Sequence, residues 1–408
     1  MRVLHLNTHS SGGSHEYAVL LSTALAEQGI ESHVLSRDSQ QLQSGKPFLD
    51  RVIRKAYVSL STEPWHGTRR LLSPPRAEEL QGFDVVHLHT VADWFNVLSW
   101  LETLPSGIGV VITLHDMWHF TGGCFLYRGC DRFAETCSPC PILKTPFNRV
   151  LAKDEQRRKL HAYRSRRVQF VANSQWLGDL ADRSAIVRGC CCSRVIPPGI
   201  DTDVFRPKDR TQCRVELGIP ADAFVIAAGA ASLTDMNKNI PWLLEQLAVL
   251  PDLEHLLVVL AGEGTIDIPI GLNVRLTGGV SDRTNRAMLL SAADVFVSAS
   301  LMETYGLALV EAMSCGIPVV AFRTGGIPEA VPEQAGILCE VLDADAFKTA
   351  IQKLRHSIEL RNGLGNAAGK LVAARNAKSR FAAAFARVYE ACLYPGQTHP
   401  IEQSALVP

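Results

Sequence analysis

The chain of 408 residues carries its densest chemistry in the run Ser300-Leu301-Met302-Glu303-Thr304-Tyr305-Gly306-Leu307-Ala308-Leu309-Val310-Glu311. This reads as the end of a strand, a loop and the start of a helix. Glu303 falls in the loop at the carboxyl end of the strand, where open α/β sheets bind ligands. Thr304, Tyr305 and Gly306 read as the opening of the helix, with amides that face outward as an anion site. Glu311 reads about two turns into the helix, on an otherwise apolar stretch. A carboxylate there needs a polar partner, and a vicinal diol offers two hydroxyls. The plain alternative is one surface glutamate and one capping glutamate.

Ser10-Ser11-Gly12-Gly13-Ser14 follows the first apolar run. Its glycines permit a tight turn with open N–H groups ahead of a helix, suited to a phosphate or a sugar; a simple strand–helix turn is the alternative. Cys124, Cys130, Cys137 and Cys140 lie close together, the last two as Cys-x2-Cys. Four thiols in this pattern fit a tetrahedral structural Zn²⁺ site. An Fe–S cluster, two disulfides, or packed thiols are the rival readings. Residues 149–167 concentrate Arg149, Lys153, Arg157, Arg158, Lys159, Arg164, Arg166 and Arg167 against Asp154 and Glu155. A solvated helix face is the default, and attraction to anionic lipid the functional reading. Trp65, Arg69, Arg70, Leu71 and Leu72 would extend such a surface.

These residues need elements to hold them. Apolar runs at Val3–Asn7, Ser32–Ser36, Val85–Leu88, Val110–Leu114, Val168–Ala172 and Arg194–Ile196 alternate with helical patterns. After Arg206 the pattern resumes at Val225–Ala228, Leu256–Leu260, Val274–Leu276, Val295–Ser298 and Val319–Phe322. Such mostly apolar runs suit strands buried on both faces of a parallel sheet. The alternation predicts a doubly wound α/β architecture, and the length predicts two such sheets. Ile196-Pro197-Pro198-Gly199-Ile200-Asp201 reads as the stiff connector. The expected layout is an N-terminal domain over 1–196 with a Cys-rich insert at 117–141, a second domain over 197–378, and a terminal segment, 379–408, whose helix returns to the first domain. Stretches 38–80 and 120–150 resist assignment.

Composition excludes little but excludes it clearly. Hydrophobic residues make up 47% of the chain, ample for more than one core. No apolar run is long enough for a membrane-spanning helix, and the N-terminus lacks a leader layout. A cytoplasmic protein is expected, where thiols stay reduced. Lys and Arg total 41, as do Asp and Glu, yet residues 1–195 carry +5 and the remainder −5. The basic stretch lacks interleaved aromatics and a groove-reading motif, so nucleic acid is not an expected partner.

The run from Glu303 to Glu311 resembles the Glu-x7-Glu signature of the family 4 glycosyltransferases, the retaining GT-B enzymes. Gly12-Gly13 resembles that family's glycine loop, and Asp84-Val85-Val86-His87-Leu88-His89 its Asp-Val-Val-His-x-His strand. Thr113-Leu114-His115-Asp116, Ala172-Asn173-Ser174 and Gly325-Gly326-Ile327-Pro328-Glu329 resemble further motifs, in the family's order. The Cys-rich block resembles an insert of the colanic-acid-type exopolysaccharide subset. The resemblance implies two Rossmann-like domains facing across a cleft and transfer of a hexosyl unit, with retention, from a UDP- or GDP-sugar to a saccharide hydroxyl on an acceptor that can be lipid-linked. Glu303 would hold donor-sugar hydroxyls and Glu311 the ribose diol. Thr304, Tyr305, Gly306, Gly12 and Gly13 would meet the sugar and diphosphate. Lys238 would neutralise the leaving diphosphate, and His115 would sit near the reacting carbon. No cofactor is implied for the chemistry. The family's Arg before this lysine is missing, since the run here is Gly229-Ala230-Ala231-Ser232-Leu233. That departure keeps two other readings open: a non-catalytic sugar-nucleotide-binding protein, and a nucleotide-sugar epimerase on the same scaffold.

Overall fold

The computed structural model describes residues 1–37, 49–52, 55, 59, 61–69, 72–144 and 146–394. Arg70, Leu71 and the tail beyond 394 lie outside the described residues. The chain divides into two compact units. One comprises Met1–Gly199 with the residues from Ser379 onward, the other Ile200–Lys378.

The first unit holds β1 (Arg2–Asn7), β2 (Glu31–Ser36), β3 (Val85–Leu88), β4 (Gly109–Leu114), β5 (Gln169–Ala172) and β6 (Arg194–Val195). They form one parallel sheet in the order β2-β1-β3-β4-β5-β6. The second unit holds β7 (Phe224–Ser232), β8 (Leu256–Glu263), β9 (Val274–Gly278), β10 (Val295–Ser298), β11 (Val319–Phe322) and β12 (Gly336–Cys339). Its order is β12-β11-β10-β7-β8-β9, again parallel. The central strands are apolar at nearly every position because helices cover both faces. All four residues of β11 are buried, as are all of β3, His87 included.

Each sheet reverses its winding once, between β1 and β3 in the first and between β7 and β10 in the second. Chains leaving the two strands at such a point turn to opposite faces. A crevice is left at their carboxyl ends, the standard ligand position of doubly wound sheets. The side chains considered below cluster at these two places.

The helix Lys378–Leu393 belongs to the core of the first unit. Phe381, Phe385, Val388 and Tyr389 pack with Val3, Tyr17, Val85, Val111 and Val171 on one face of the sheet. Gly199 is required there, since a Cβ would lie 2.6 Å from the Phe381 ring. Two elements carry no clear sequence signal. β12 offers only Ile337 and Leu338 as an apolar pair. The helix Ile358–Arg375 contains three glycines that mask its periodicity. Gly365 is where this helix approaches the loop at Gly316, whose carbonyl oxygen a Cβ would meet at 2.1 Å.

Part of the basic run is internal. Lys159 is fully buried, with Nζ donating to the carbonyl oxygens of Trp118 and Thr121 and lying 3.9 Å from the Trp118 ring centre. Arg158 pairs with Glu155, and Arg166 donates to the carbonyls of Leu104 and Pro105. Trp65 is buried in the core. Lys153, Arg157, Arg164 and Arg167 remain exposed on this face. No described helix is long and apolar enough to cross a membrane.

Candidate active site

In the second unit the loops after β7 and β10 are tied together at the reversal point. Asn237 donates from Nδ2 to the Met302 carbonyl at 2.8 Å, and Leu301 N–H donates to the Asn237 carbonyl at 2.8 Å. This double link brings Lys238 and Glu303 together: Nζ donates to Oε1 at 2.5 Å. Both are half-buried, so the pair is less screened than a surface ion pair. A third loop closes on the same point. Gly326 N–H donates to the Glu303 carbonyl at 2.9 Å, and Thr324 Oγ1 donates to the Leu301 carbonyl. Gly325 has φ +55°, and a Cβ there would lie 1.9 Å from the Glu303 carbonyl oxygen. Only glycine lets this turn approach so closely.

Thr304, Tyr305 and Gly306 do not open the helix as expected. The helix spans Leu307–Ser314, and Gly306 precedes it at φ +93°, a left-handed cap that a side chain would disfavour. Tyr305 is buried, its hydroxyl accepting from Asn376 Nδ2 at 3.0 Å. Because the helix starts later, Glu311 lies just past its first turn rather than two turns in. Its polar partner is protein: Arg286 Nη2 donates to Glu311 Oε1 at 3.0 Å. Sequence reasoning missed Arg286 and the linking role of Asn237, and it marked Gly325 only as part of a family motif. Arg286 sits one helix away without a motif, and its role emerges only when the helix Arg283–Ala292 packs beside Glu311.

The remaining expected site residues lie in the first unit. Gly12 (φ +85°) and Gly13 start the helix Gly13–Ala26. His115 follows β4 and is half-buried. Ser174 of the Asn-Ser pair has a local role, capping the helix Gln175–Arg183 through Leu177 N–H. Five histidines gather around the reversal point between β1 and β3. His5 Nδ1 lies 3.0 Å from His89 Nε2, and His89 Nδ1 lies 2.9 Å from His115 Nε2. His5 Nε2 meets Ser32 Oγ at 3.0 Å. His87 bonds Tyr389 OH and Thr113 Oγ1, and His119 bonds Tyr163 OH and the His89 carbonyl. The ligand atoms of His5, His87 and His89 lie within 4.8 Å of one another, a spacing that suits a metal. Every ring nitrogen of the three is already hydrogen-bonded, and the rings are fully buried. A metal ion would have to break these bonds.

Cys124, Cys130, Cys137 and Cys140 are free thiols lining one cavity beneath residues 117–142. Cys137 Sγ accepts from Gly122 N–H at 3.2 Å. A hydrogen bond from Cys124 and the N–H groups of Ile142 and Leu143 draw the Cys140 thiol down to about 6. The donor chemistry suits zinc, although the sulfurs are not among the tight three-ligand groups within 4.8 Å.

Two family models match the chain. Residues 11–204 match "Glycosyltransferase Family 4", and residues 224–357 match "Glycosyl transferases group 1". The chain belongs to these glycosyltransferases. D-inositol 3-phosphate glycosyltransferase of Mycobacterium tuberculosis is 28% identical over 352 residues, covering 79% of this chain and 67% of that protein. Among solved structures, sucrose-phosphate synthase from Thermosynechococcus elongatus aligns with TM-score 0.70 at 19% identity, over 97% of this chain and all of that one. HepE from Anabaena, solved in complex with UDP-glucose, aligns with TM-score 0.62 at 17% identity, over 96% of this chain and all of that one. These likenesses agree on the GT-B fold.

Burial holds the glycosyltransferase's histidine cluster neutral. It pushes His5, His115 and His119 down to about 3, and His87 and His89 well below the ordinary imidazole value. In the unfolded chain the same rings bind protons below about 6.5. The unfolded state therefore holds more protons between pH 6.5 and 3, so stability is full above that window and lost as pH falls through it. Burial also pushes Asp116 up to about 6, which opposes the trend by one proton. Thermal melts should be flat from pH 8 to 7 and fall steeply from 6.5 to 5. Each imidazole contributes about 1.4 kcal/mol per pH unit, and His87→Gln should flatten the slope by one proton. A melting temperature unchanged down to pH 5 would show the rings to be protonated in the folded protein.

Proposed function

We propose that this glycosyltransferase moves a hexosyl unit from a nucleotide-diphosphate sugar to a saccharide hydroxyl with retention of anomeric configuration. The observation that carries this is the Lys238–Glu303 contact at the reversal point of the second sheet, beside the helix bearing Glu311. Without donor, each charge is the other's partner. With donor, Lys238 would turn to the diphosphate, which gains negative charge as the glycosidic C–O bond breaks. Glu303 would then accept hydrogen bonds from sugar hydroxyls, and the backbone N–H groups of Thr304, Tyr305 and Gly306 at its flank would donate to the sugar and diphosphate. Glu311, oriented by Arg286, would accept the ribose hydroxyls in charge-assisted hydrogen bonds. Gly12 and Gly13 would present amides to the donor, and His115 would face the acceptor hydroxyl.

Both carboxylates of the second unit's site are engaged with cations rather than held as bare nucleophiles. This favours front-face displacement over a covalent glycosyl intermediate. The absent arginine in Gly229–Leu233 leaves Lys238 the larger share of diphosphate stabilisation. A UDP-sugar is the first donor to try, since HepE binds UDP-glucose on the same fold. Polysaccharide assembly on a lipid-linked acceptor is the reading for the Cys-rich insert, with Lys153, Arg157, Arg164 and Arg167 as the cationic face toward the membrane.

Lys238→Met should lower kcat about 10²–10³-fold, the scale of losing one transition-state charge contact, while the protein still folds. The product's anomeric proton should show the donor's configuration. A wild-type protein that binds nucleotide sugars without turnover would instead favour the non-catalytic reading, and release of an epimerised sugar without acceptor the epimerase.

We also propose that the four cysteines hold one structural Zn²⁺, which supplies no sugar chemistry and fixes a loop with little regular structure. Elemental analysis should find about one zinc per chain, and chelation should lower the melting temperature. A metal-free protein whose stability chelators do not change would contradict this.

A further inference from the structure

The Lys238–Glu303 site lies at the carboxyl ends of the second unit's strands. A second charged cluster lies at their amino ends. Asp294 directly precedes β10 and is tied to the start of β7, its Oδ2 accepting from Val225 N–H at 2.8 Å. Arg214 Nη2 donates to the same oxygen at 2.7 Å. The other Arg214 donors go to the carbonyls of Ala292, Ala221 and Ala223, so this guanidinium is a structural tie. Oδ1 is served more loosely. Arg210 Nη1 stands 3.3 Å from it and Arg361 Nε 3.7 Å, both long for charge-assisted contacts. Arg361 Nε is buried without a hydrogen bond. The rest of that guanidinium is held in place: Nη1 donates to the carbonyls of Leu354 and Arg355, and its carbon lies 5.5 Å from the Phe224 ring centre. Among the described residues, Arg210 Nε and Nη2 and Arg361 Nη2 have no hydrogen-bond partner.

Three guanidiniums thus meet one carboxylate. Among the described residues, Asp294 is the one carboxylate within ion-pairing distance of them. The acidic groups nearest in sequence are used locally: Asp209 accepts from Gln212 N–H, and Glu359 from Ser357 Oγ. The side chains of Arg214, Arg361 and Asp294 are 9%, 12% and 7% exposed, so the surplus positive charge is poorly screened. Burial lowers the Arg210 pKa, and the like charges of Arg214 and Arg361 add to this against the pull of Asp294. Helix placement sharpens the imbalance. Arg210 opens the helix Arg210–Leu217, and Arg361 closes the first turn of Ile358–Arg375. A cation at a helix start opposes the macrodipole, whereas an anion there is favoured. We propose that Arg210 and Arg361 bind a phosphate group, either inorganic phosphate or a phosphate monoester, at the amino edge of the second sheet. Both guanidiniums reach the same Asp294 oxygen, so one tetrahedral oxyanion can accept from the two together. A dianion would balance three guanidiniums and one carboxylate. Arg210, 33% exposed, gives the side of entry. This site is independent of the transferase reading, since Asp294 and Glu303 lie beyond opposite ends of β10.

The test is titration of the full-length protein with inorganic phosphate, against sodium chloride at equal ionic strength, read by calorimetry and by thermal melts. Phosphate should raise the melting temperature saturably, as a ligand of the folded state does. Arg210→Gln should weaken phosphate binding about tenfold, the scale of one lost hydrogen bond to a charged group. Arg210→Lys keeps the charge and loses the planar fork, so it should fold even if Arg210→Gln does not and still bind several-fold more weakly. Lys238→Met, which disables the other anion-binding position, should keep the phosphate response. Glycerol 3-phosphate, run in parallel, identifies the source. Tighter binding than inorganic phosphate assigns the site to a phosphorylated metabolite, and equal or weaker binding to the free ion. A wild-type protein that responds to phosphate no more than to chloride, or a response that Lys238→Met abolishes, would overturn the site. So would folded Arg210→Gln and Arg210→Lys proteins that bind phosphate as wild type does.

Discussion

One contact, Lys238 on Glu303, organises the second unit's site. It exists because two strands neighbouring in space, β7 and β10, send their chains in opposite directions, leaving their loops to meet. The Asn237 bonds to the 301–302 backbone and the tight turn at Gly325 hold those loops in register. A flexible pair of long side chains would gain little from such contact at a surface, because ordering both offsets the attraction. Here the backbone is already ordered, so the pair is pre-organised and a ligand bearing hydroxyls and phosphates can take over both partners.

The first unit solves a different problem at the same topological place. Its reversal point is lined by imidazoles rather than by an ion pair. Burial keeps them neutral, and neutrality forces each ring to be donor on one side and acceptor on the other. The terminal helix contributes to this. Tyr389 fixes His87, and Phe385 lies against it, so the last described helix of the chain encloses residues of the third strand. The two reversal points thus carry different chemistry: an ion pair in one unit, and neutral, hydrogen-bonded imidazoles in the other.

Much of this was legible in the sequence, and the failures are instructive. Strands such as β3, β10 and β11 match their apolar runs because burial on both faces favours apolar side chains at most positions. Glu303 stands out by its place at the carboxyl end of a strand and Glu311 because a carboxylate on an apolar stretch is costly unless used, whereas Lys238 and His115 are marked only by the family resemblance. Helix starts were less legible. Gly306 adopts a left-handed cap, so the amides at 304–306 precede the helix and Glu311 moves nearer its start. Glu311's partner Arg286 lies 25 positions away and has no local signature. The burial of Lys159 was illegible for a similar reason. Counting Lys159 as surface charge ignores that a 20-residue helix has an inner face, and there two backbone carbonyls and an indole receive the ammonium.

The central claim is that the second unit binds a nucleotide-diphosphate sugar through Glu311 and the Lys238–Glu303 pair. The most direct test is thermal stabilisation by UDP-, GDP-, ADP- and TDP-sugars, comparing wild type with Glu311→Ala. One nucleotide class should raise the wild-type melting temperature and raise that of the variant far less, since a ligand bound only to the folded state stabilises it by mass action. If no nucleotide sugar shifts wild type at concentrations well above typical donor affinities, or if the variant responds equally, the site has been assigned to the wrong ligand.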